Sequence, residues 1–397
     1  MFARRAAWDL TPNELATRLA ERRARGLPVL DLTESNPTRV GLREPEAALA
    51  GALAALAADP DAARYEPDPR GDPAARAAIA AWHAEHGAAL APEHVVLTAG
   101  TSEGYAHLFR LLGDPGDVVH LPAPGYGLFE HLAALEGLAA ERYPLAAPRA
   151  GARWRIDLDA LAASLGPRSR AVLLIHPHNP TGSFVDPEDL AALRAIARER
   201  GLAIVSDEVF AGTAVAADAP PSVLAGAEAG PLHVVLSGAS KPLALPQLKI
   251  AWLAVAGPPA LRDEALARLE FVADAYLSVS PLLARALPRL LAARPAIAAE
   301  LGARLAGNRA RLAEAVRGSA FELLPAEAGW AAIVRAPRVE DDEAFVLELL
   351  DGTGVLLQPG FVFDLDPRHL VVSLLPEPDV FRRGVAAWLG APPPRRP

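Results

Sequence analysis

Ser237-Gly-Ala-Ser-Lys-Pro-Leu-Ala-Leu-Pro-Gln-Leu-Lys-Ile-Ala-Trp252 holds both lysines of the chain, Lys241 and Lys249, among 39 Lys+Arg. Everywhere else a positive charge is supplied by arginine. Arginine stays protonated in proteins, whereas a lysine amine can be tuned to attack a carbonyl. A chain that has otherwise dispensed with lysine and keeps two so close together is expected to need an amine here. The bland alternative is two leftover surface lysines. Lys241 follows an apolar run, Leu232–Leu236, and sits in a Ser/Gly-rich turn. The turn after a strand is where α/β enzymes place their chemistry.

Working outward, 397 residues suggest two or three domains at roughly 150 residues each. A hydrophobic fraction of 51% is ample for large cores and excludes a disordered chain. The net charge of −9, with no isolated basic block, argues against nucleic-acid binding. Without cysteine there is no disulfide framework, thiolate catalysis or Cys-ligated zinc. The N-terminus carries Asp9, Glu14 and Glu21 and no apolar core of a signal peptide. Apolar stretches such as 47–58 are shorter than the ~18–20 residues a membrane span needs. A soluble, cytoplasmic protein is expected.

Residues 11–25 read as an amphipathic helix capped by Thr11-Pro12, and Ala-rich helices are expected at 45–58 and 73–86. Between the latter lies a proline-stiffened loop, Tyr65-Glu-Pro-Asp-Pro-Arg-Gly71. From residue 94 strands (94–99, 118–121, 141–144, 171–175, 202–206, 232–236, 250–255) are separated by helices over most of the run (103–112, 127–136, 157–165, 186–200). Continuous apolar strands between helices predict a mostly parallel sheet covered on both faces, with ligands beyond the strands' carboxyl ends.

Four strand-end loops carry polar residues. Ala99-Gly-Thr-Ser-Glu-Gly104 opens a helix with small residues, and such an N-terminus suits a phosphate. It also matches the Gly-x-Ser-x-Gly elbow of hydrolases, centred on Ser102 with Asp207 and His233 or His369 as partners. That reading lacks an upstream oxyanion loop and leaves the lysines unexplained. The second loop, His176-Pro-His-Asn-Pro-Thr-Gly182, places Asn179 after the most apolar strand, and its two histidines lack an obvious third metal ligand. In the third, Asp207 ends a buried strand, where a carboxylate needs a cationic partner. The lysine stretch is the fourth. Together these are the parts of a pyridoxal phosphate (PLP) site: an amine for the aldehyde, a carboxylate for the ring nitrogen, a polar group for the ring oxygen, and a phosphate cradle.

Through Tyr65…Gly71, the Gly100 turn, Pro124-Gly-Tyr126, Asn179-Pro-Thr-Gly182, Asp207 and Ser240-Lys241 with Lys249, the chain resembles the fold-type I PLP enzymes of the class I/II aminotransferase family over essentially its whole length. The resemblance implies an α/β, aspartate aminotransferase-like fold. Residues 46–275 would form a large PLP-binding domain with the mostly parallel sheet. A small α+β domain, 276–390, would be joined by residues 1–45, and 391–397 would be a tail. By the same resemblance Lys241 is the Schiff-base lysine and proton carrier, and Asp207 pairs with the pyridinium nitrogen. Asn179 bonds the ring oxygen and Tyr126 stacks on the ring. Gly100, Thr101 and Ser102 hold the phosphate, with Ser237 or Ser240 and Lys249 opposite. Tyr65 reaches the neighbouring subunit's phosphate in a homodimer.

Departures from the family are specific. Phe210 replaces a tyrosine near the ring oxygen, Lys249 replaces an arginine, and Gly238 replaces a serine. Val371, in His369-Leu-Val-Val-Ser373, stands where the arginine for the substrate carboxylate is usual. Either Arg39, Arg368 or another arginine substitutes, or the donor is unusual. Asn36, Gln358 and Phe361 are further substrate candidates by position. The implied reaction moves an amino group from an amino donor to a 2-oxo acid. The nearest competitor is a PLP-dependent elimination such as C–S β-lyase action. A transcriptional regulator on the same fold is disfavoured, because no helix-turn-helix segment is attached.

Overall fold

Ala171-Val-Leu-Leu-Ile175 shows why the chain builds a sheet covered on both faces. Ala171, Leu173 and Ile175 pack into one hydrophobic cluster and Val172 and Leu174 into another. Side chains alternate across a strand, so a continuous apolar run supplies two cores at once. Val234 and Leu236 against Val235 repeat the pattern two strands away in the same sheet. One face is closed by helices Thr101–Leu112, Leu128–Leu135 and Pro259–Asp274, the other by Leu158–Ser164 and Pro187–Arg200. Each fully buried Leu or Val contributes about 1.5–3 kcal/mol relative to exposure.

The computed structural model describes residues 2–147, 153–213, 219–336 and 339–390, and the expected tail at 391–397 lies outside them. In spatial order the eight strands of the main sheet are Val95–Thr98, Ala251–Ala256, His233–Gly238, Ala203–Asp207, Ser169–Ile175, Val118–Ala123, Ala139–Ala146 and Arg155–Ile156. The four central strands from His233–Gly238 to Val118–Ala123 are parallel, as is Ala139–Ala146. Ala251–Ala256 runs against both of its neighbours. The fold expectation is therefore met, with one reversed strand inside the sheet. That reversal matters for the site. Ala251 lies opposite both Gly238 and Thr98, so the start of this strand and the ends of its neighbours share one edge. Asp207 ends a strand there, and Gly100, Asn179, Lys241 and Lys249 follow or precede strands.

A four-stranded antiparallel sheet, Glu322–Leu323, Ala331–Arg335, His369–Ser373 and Gln358–Pro359 in spatial order, is formed by the C-terminal part of the chain. Helices Arg294–Val316, Asp342–Thr353 and Pro378–Leu389 belong to the same part of the chain. The N-terminal strand Leu30–Asp31 pairs with Val355–Leu356, and the Ser373 amide donates to the Leu32 carbonyl. One core cluster joins Leu32, Trp330, Val372 and Trp388 to Leu97 and Trp252 of the main sheet. Among the described residues no helix is long and apolar enough to cross a membrane. The first helix spans Glu14–Ala24, and its cap is Asn13, whose side chain accepts from the Ala16 amide, rather than Thr11-Pro12. Thr11 instead has its own amide bonded to Asp9.

Candidate active site

Where the strand ends converge there is a cavity of about 500 Å³. Of the residues expected from sequence, Gly100, Thr101, Ser102, Tyr126, Asn179, Asp207, Phe210, Ser240, Lys241, Lys249 and Gln358 line it, together with Gly238 and Val371. Asp207, the last residue of its strand, is buried. Its carboxylate accepts from the Tyr105 hydroxyl at 3.0 Å and from the Val209 amide at 3.1 Å. Burial pushes its pKa up to about 6, against the opposing pull of those hydrogen bonds and of Lys241. A buried carboxylate this short of positive charge is built to meet a cation, and a protonated ring nitrogen is one.

Lys241 lies 4.8 Å from the centre of the Trp330 ring and 5.8 Å from that of Phe210. Burial lowers the pKa of its amine, and Asp207 only partly restores it. Desolvation thus raises the fraction of free, nucleophilic amine. At the other end, Gly100 starts helix Thr101–Leu112. Its backbone is extended, and closeness rather than torsion favours glycine: an added Cβ would lie 3.1 Å from the Lys249 Nζ. A lysine amine beside helix-terminal N–H groups and two hydroxyls is a cradle for a phosphate. The donor set therefore fits PLP: an amine for its aldehyde, a carboxylate for its nitrogen, an amide for its oxygen and a cationic notch for its phosphate.

Several expectations are corrected. Ser237 is fully buried behind the cavity and donates to the Glu208 carbonyl at 3.3 Å, because it points to the opposite face of its strand from Gly238. Gly238 itself cannot hold the family's serine, since a Cβ would lie 2.8 Å from that of Ala251 on the adjoining strand. Asn36 folds back to accept from the Thr38 amide and hydroxyl, and the cavity wall is made by Thr33 and Ser35 instead. Phe361 is exposed, and Phe363 takes its place in the wall. Arg39 is turned to solvent beside Glu34, and Arg368 is exposed. Tyr65 is 73% exposed and lines a separate groove with Asp68 and Arg285. Among the other lining residues that were missed, Tyr105 and Trp330 matter most. Tyr105 sits one helical turn after Ser102, a spacing that the sequence does display. Trp330 comes from the distant C-terminal sheet, and nothing local announces it.

The competing chemistries are not assembled. His233 begins its strand at the far edge of the sheet, bonded to the Pro231 carbonyl and the Arg194 guanidinium. His369 lies outside the wall and bonds to the Asp366 carbonyl. Among the described residues neither histidine is therefore placed as a base for Ser102. His176 is committed at both nitrogens, to the Val185 amide and the Pro221 carbonyl.

The comparisons with known proteins agree with this geometry. Residues 28–384 match the family model described as aminotransferase class I and II. A valine–pyruvate aminotransferase of Mycobacterium tuberculosis is 29% identical over 74% of both chains. The glutamate–pyruvate aminotransferase AlaA of Escherichia coli is 28% identical over 89% of this chain and 88% of its own. An S-alkyl-thiohydroximate lyase of Arabidopsis thaliana is 30% identical over 51% of this chain and 43% of its own. In fold, an alanine aminotransferase from Pyrococcus furiosus superposes with a TM-score of 0.86 over 98% of each chain at 20% identity. A match extending over nearly the whole length, on a cavity furnished in this way, makes the chain a member of the class I and II aminotransferase family.

Proposed function

We propose that this aminotransferase binds PLP covalently through Lys241 and moves amino groups between an amino donor and a 2-oxo acid, as a cytoplasmic homodimer. The observation carrying the reading is the half-buried Lys241 amine in the same cavity as the buried Asp207 carboxylate. Asn36, Phe361 and Ser237 have no part in it. Bound PLP supplies an electron sink for the carbon that loses its proton. Lys241 would hold the cofactor's aldehyde through its amine, and that amine, once free, would carry the proton from the donor's reacting carbon. Asp207, held in place by the Tyr105 hydroxyl, would meet the ring nitrogen as a carboxylate. Asn179 would hold the ring oxygen, Tyr126 would stack on the ring, and Thr101, Ser102, Ser240 and Lys249 would hold the phosphate. The division into 1–45, 46–275 and 276–390 belongs to the same proposal. The test is an absorbance scan of PLP-loaded protein with a panel of amino donors. Transamination converts the cofactor to its amine form and yields an oxo product. The alternative, an elimination, is motivated by similarity to a lyase and would release ammonia and return the aldehyde form unchanged.

Phe210 offers no hydroxyl to the ring oxygen, so the lysine–cofactor linkage should hold its proton to higher pH than a tyrosine would allow. Phe210→Tyr is expected to lower the midpoint of the visible-band pH titration by about one unit. An unmoved midpoint would place residue 210 away from that oxygen. For the dimer, Tyr65, Phe271 and Tyr276 are large exposed side chains. The native protein is expected to sediment as a dimer. Tyr65→Phe should leave that mass unchanged and weaken PLP retention about tenfold, the loss of one hydrogen bond to a charged group. Retention equal to native would detach Tyr65 from the phosphate.

A further inference from the structure

We propose that the amino donor is recognised without a cationic clamp, so that apolar primary amines with no carboxylate beside the reacting carbon are donors on the same footing as amino acids. This rests on the cavity being the aminotransferase site proposed above. Among the described residues of its wall the only cations are Lys241 and Lys249. Lys241 is the amine joined to the cofactor, and Lys249 stands at the Gly100 end, where the phosphate is held. Neither is left for a second anion. Arginines nearby are engaged elsewhere: Arg39 lies beside Glu34 in solvent, and Arg142 pairs with Glu130 and Asp364.

The place of the usual arginine is apolar in more than name. Val371 is paired with Ile333 on one side and Gln358 on the other, and packs with Ile333, Phe363 and Leu365. The hydroxyls close to it are spoken for. Ser373 donates to the Glu34 carbonyl at 2.7 Å, and Thr33 donates to Asp31 at 2.7 Å. Ser35 and Gln358 remain as neutral polar groups in the wall, with no side-chain partner among the described residues. A carboxylate seated here would share a buried cavity with Asp207 and have no counter-charge of its own, which is unfavourable in a low-dielectric site. The rest of the wall, with Leu128, Phe129, Leu132 and Trp330, suits an apolar body.

The half-reaction balances without a carboxylate. The donor's C–N bond is exchanged for C=O, and its carbon loses two electrons to the cofactor carbon, which gains the amino group. The C–H proton travels through the Lys241 amine. The donor's amine would displace the Lys241 amine without release of water, and the one water consumed as the aldehyde leaves would supply its oxygen.

The experiment uses PLP-loaded protein and matched donors: phenylalanine against 2-phenylethylamine, and leucine against 3-methylbutylamine. The second-order rate constant for loss of the aldehyde band is read for each. The native enzyme is expected to treat the two members of a pair within about tenfold of one another. Val371→Arg should favour the amino acid by about a hundredfold more, the scale of one buried charge-assisted pair. A native preference for the amino acid above about a thousandfold overturns the proposal, as does a loaded protein that reacts with neither amine. The native pairs decide even where the arginine variant fails to fold. A protein that takes up no PLP instead removes the aminotransferase reading beneath it, an outcome seen before any donor is added.

Discussion

Lys241→Ala is expected to abolish covalent uptake of PLP and to lower amino transfer by about 10³- to 10⁴-fold, with the fold intact. Two roles are lost together, the amine that forms the bond and the base that carries the proton, and general-base removal alone costs about 10²–10⁴. The fold should survive, because burial penalises the charged form of the amine and truncation relieves that cost. Circular dichroism and the visible band of the PLP-treated variant check the two halves separately. A variant that still shows the native visible band would move the covalent link to another residue. Lys249→Ala is the control: it should weaken PLP binding while keeping the band, since its amine faces the Gly100 end of the cavity.

Asp207→Asn carries the second largest effect, a fall in turnover of about 10²–10³, the cost of removing one preorganised electrostatic partner from a buried reacting group. Here the cofactor-free protein gives an independent readout. The folded pKa of Asp207 is raised to about 6 by burial. The folded state therefore binds this proton more tightly than the unfolded chain does. The resulting stabilisation is complete below about pH 4, the usual aspartate range, and is lost as pH rises through about 6. Asn, uncharged throughout, lacks this dependence. The cofactor-free variant should gain in denaturant midpoint relative to native above pH 7, and the gain should shrink towards pH 4. PLP should reverse the ranking at pH 8, because the bound ring nitrogen stabilises the carboxylate only in the native protein. A difference between the two proteins that is flat from pH 4 to 8 would contradict the raised pKa.

Much of the site was legible because its chemistry sits at the ends of strongly patterned strands. Lys241 stood out by composition, and Asp207 and Asn179 by following runs such as Ala203–Ser206 and Ala171–Ile175, whose apolar continuity reports burial on both faces. What was missed follows from shorter-range geometry. Ser237 and Gly238 are adjacent, and a strand sends neighbours to opposite faces, so choosing between them needs the register against Ala251. Asn36 and Phe361 lie at or inside short 3₁₀ turns, Pro37–Arg39 and Gly360–Phe363, where a shift of one or two residues decides which side chain meets the cavity. Trp330 depends on how the C-terminal sheet docks, and no local pattern encodes that. The Val371 departure was visible in sequence. That no wall arginine compensates for it among the described residues needed the fold.

The claim on which the rest depends is a covalent bond between Lys241 and the cofactor aldehyde. Borohydride reduction of the PLP-treated native protein, followed by peptide mapping, tests it most directly. The account predicts one pyridoxyl-bearing peptide, modified at Lys241, with Lys249 untouched. Label on Lys249, or no label at all, would contradict it.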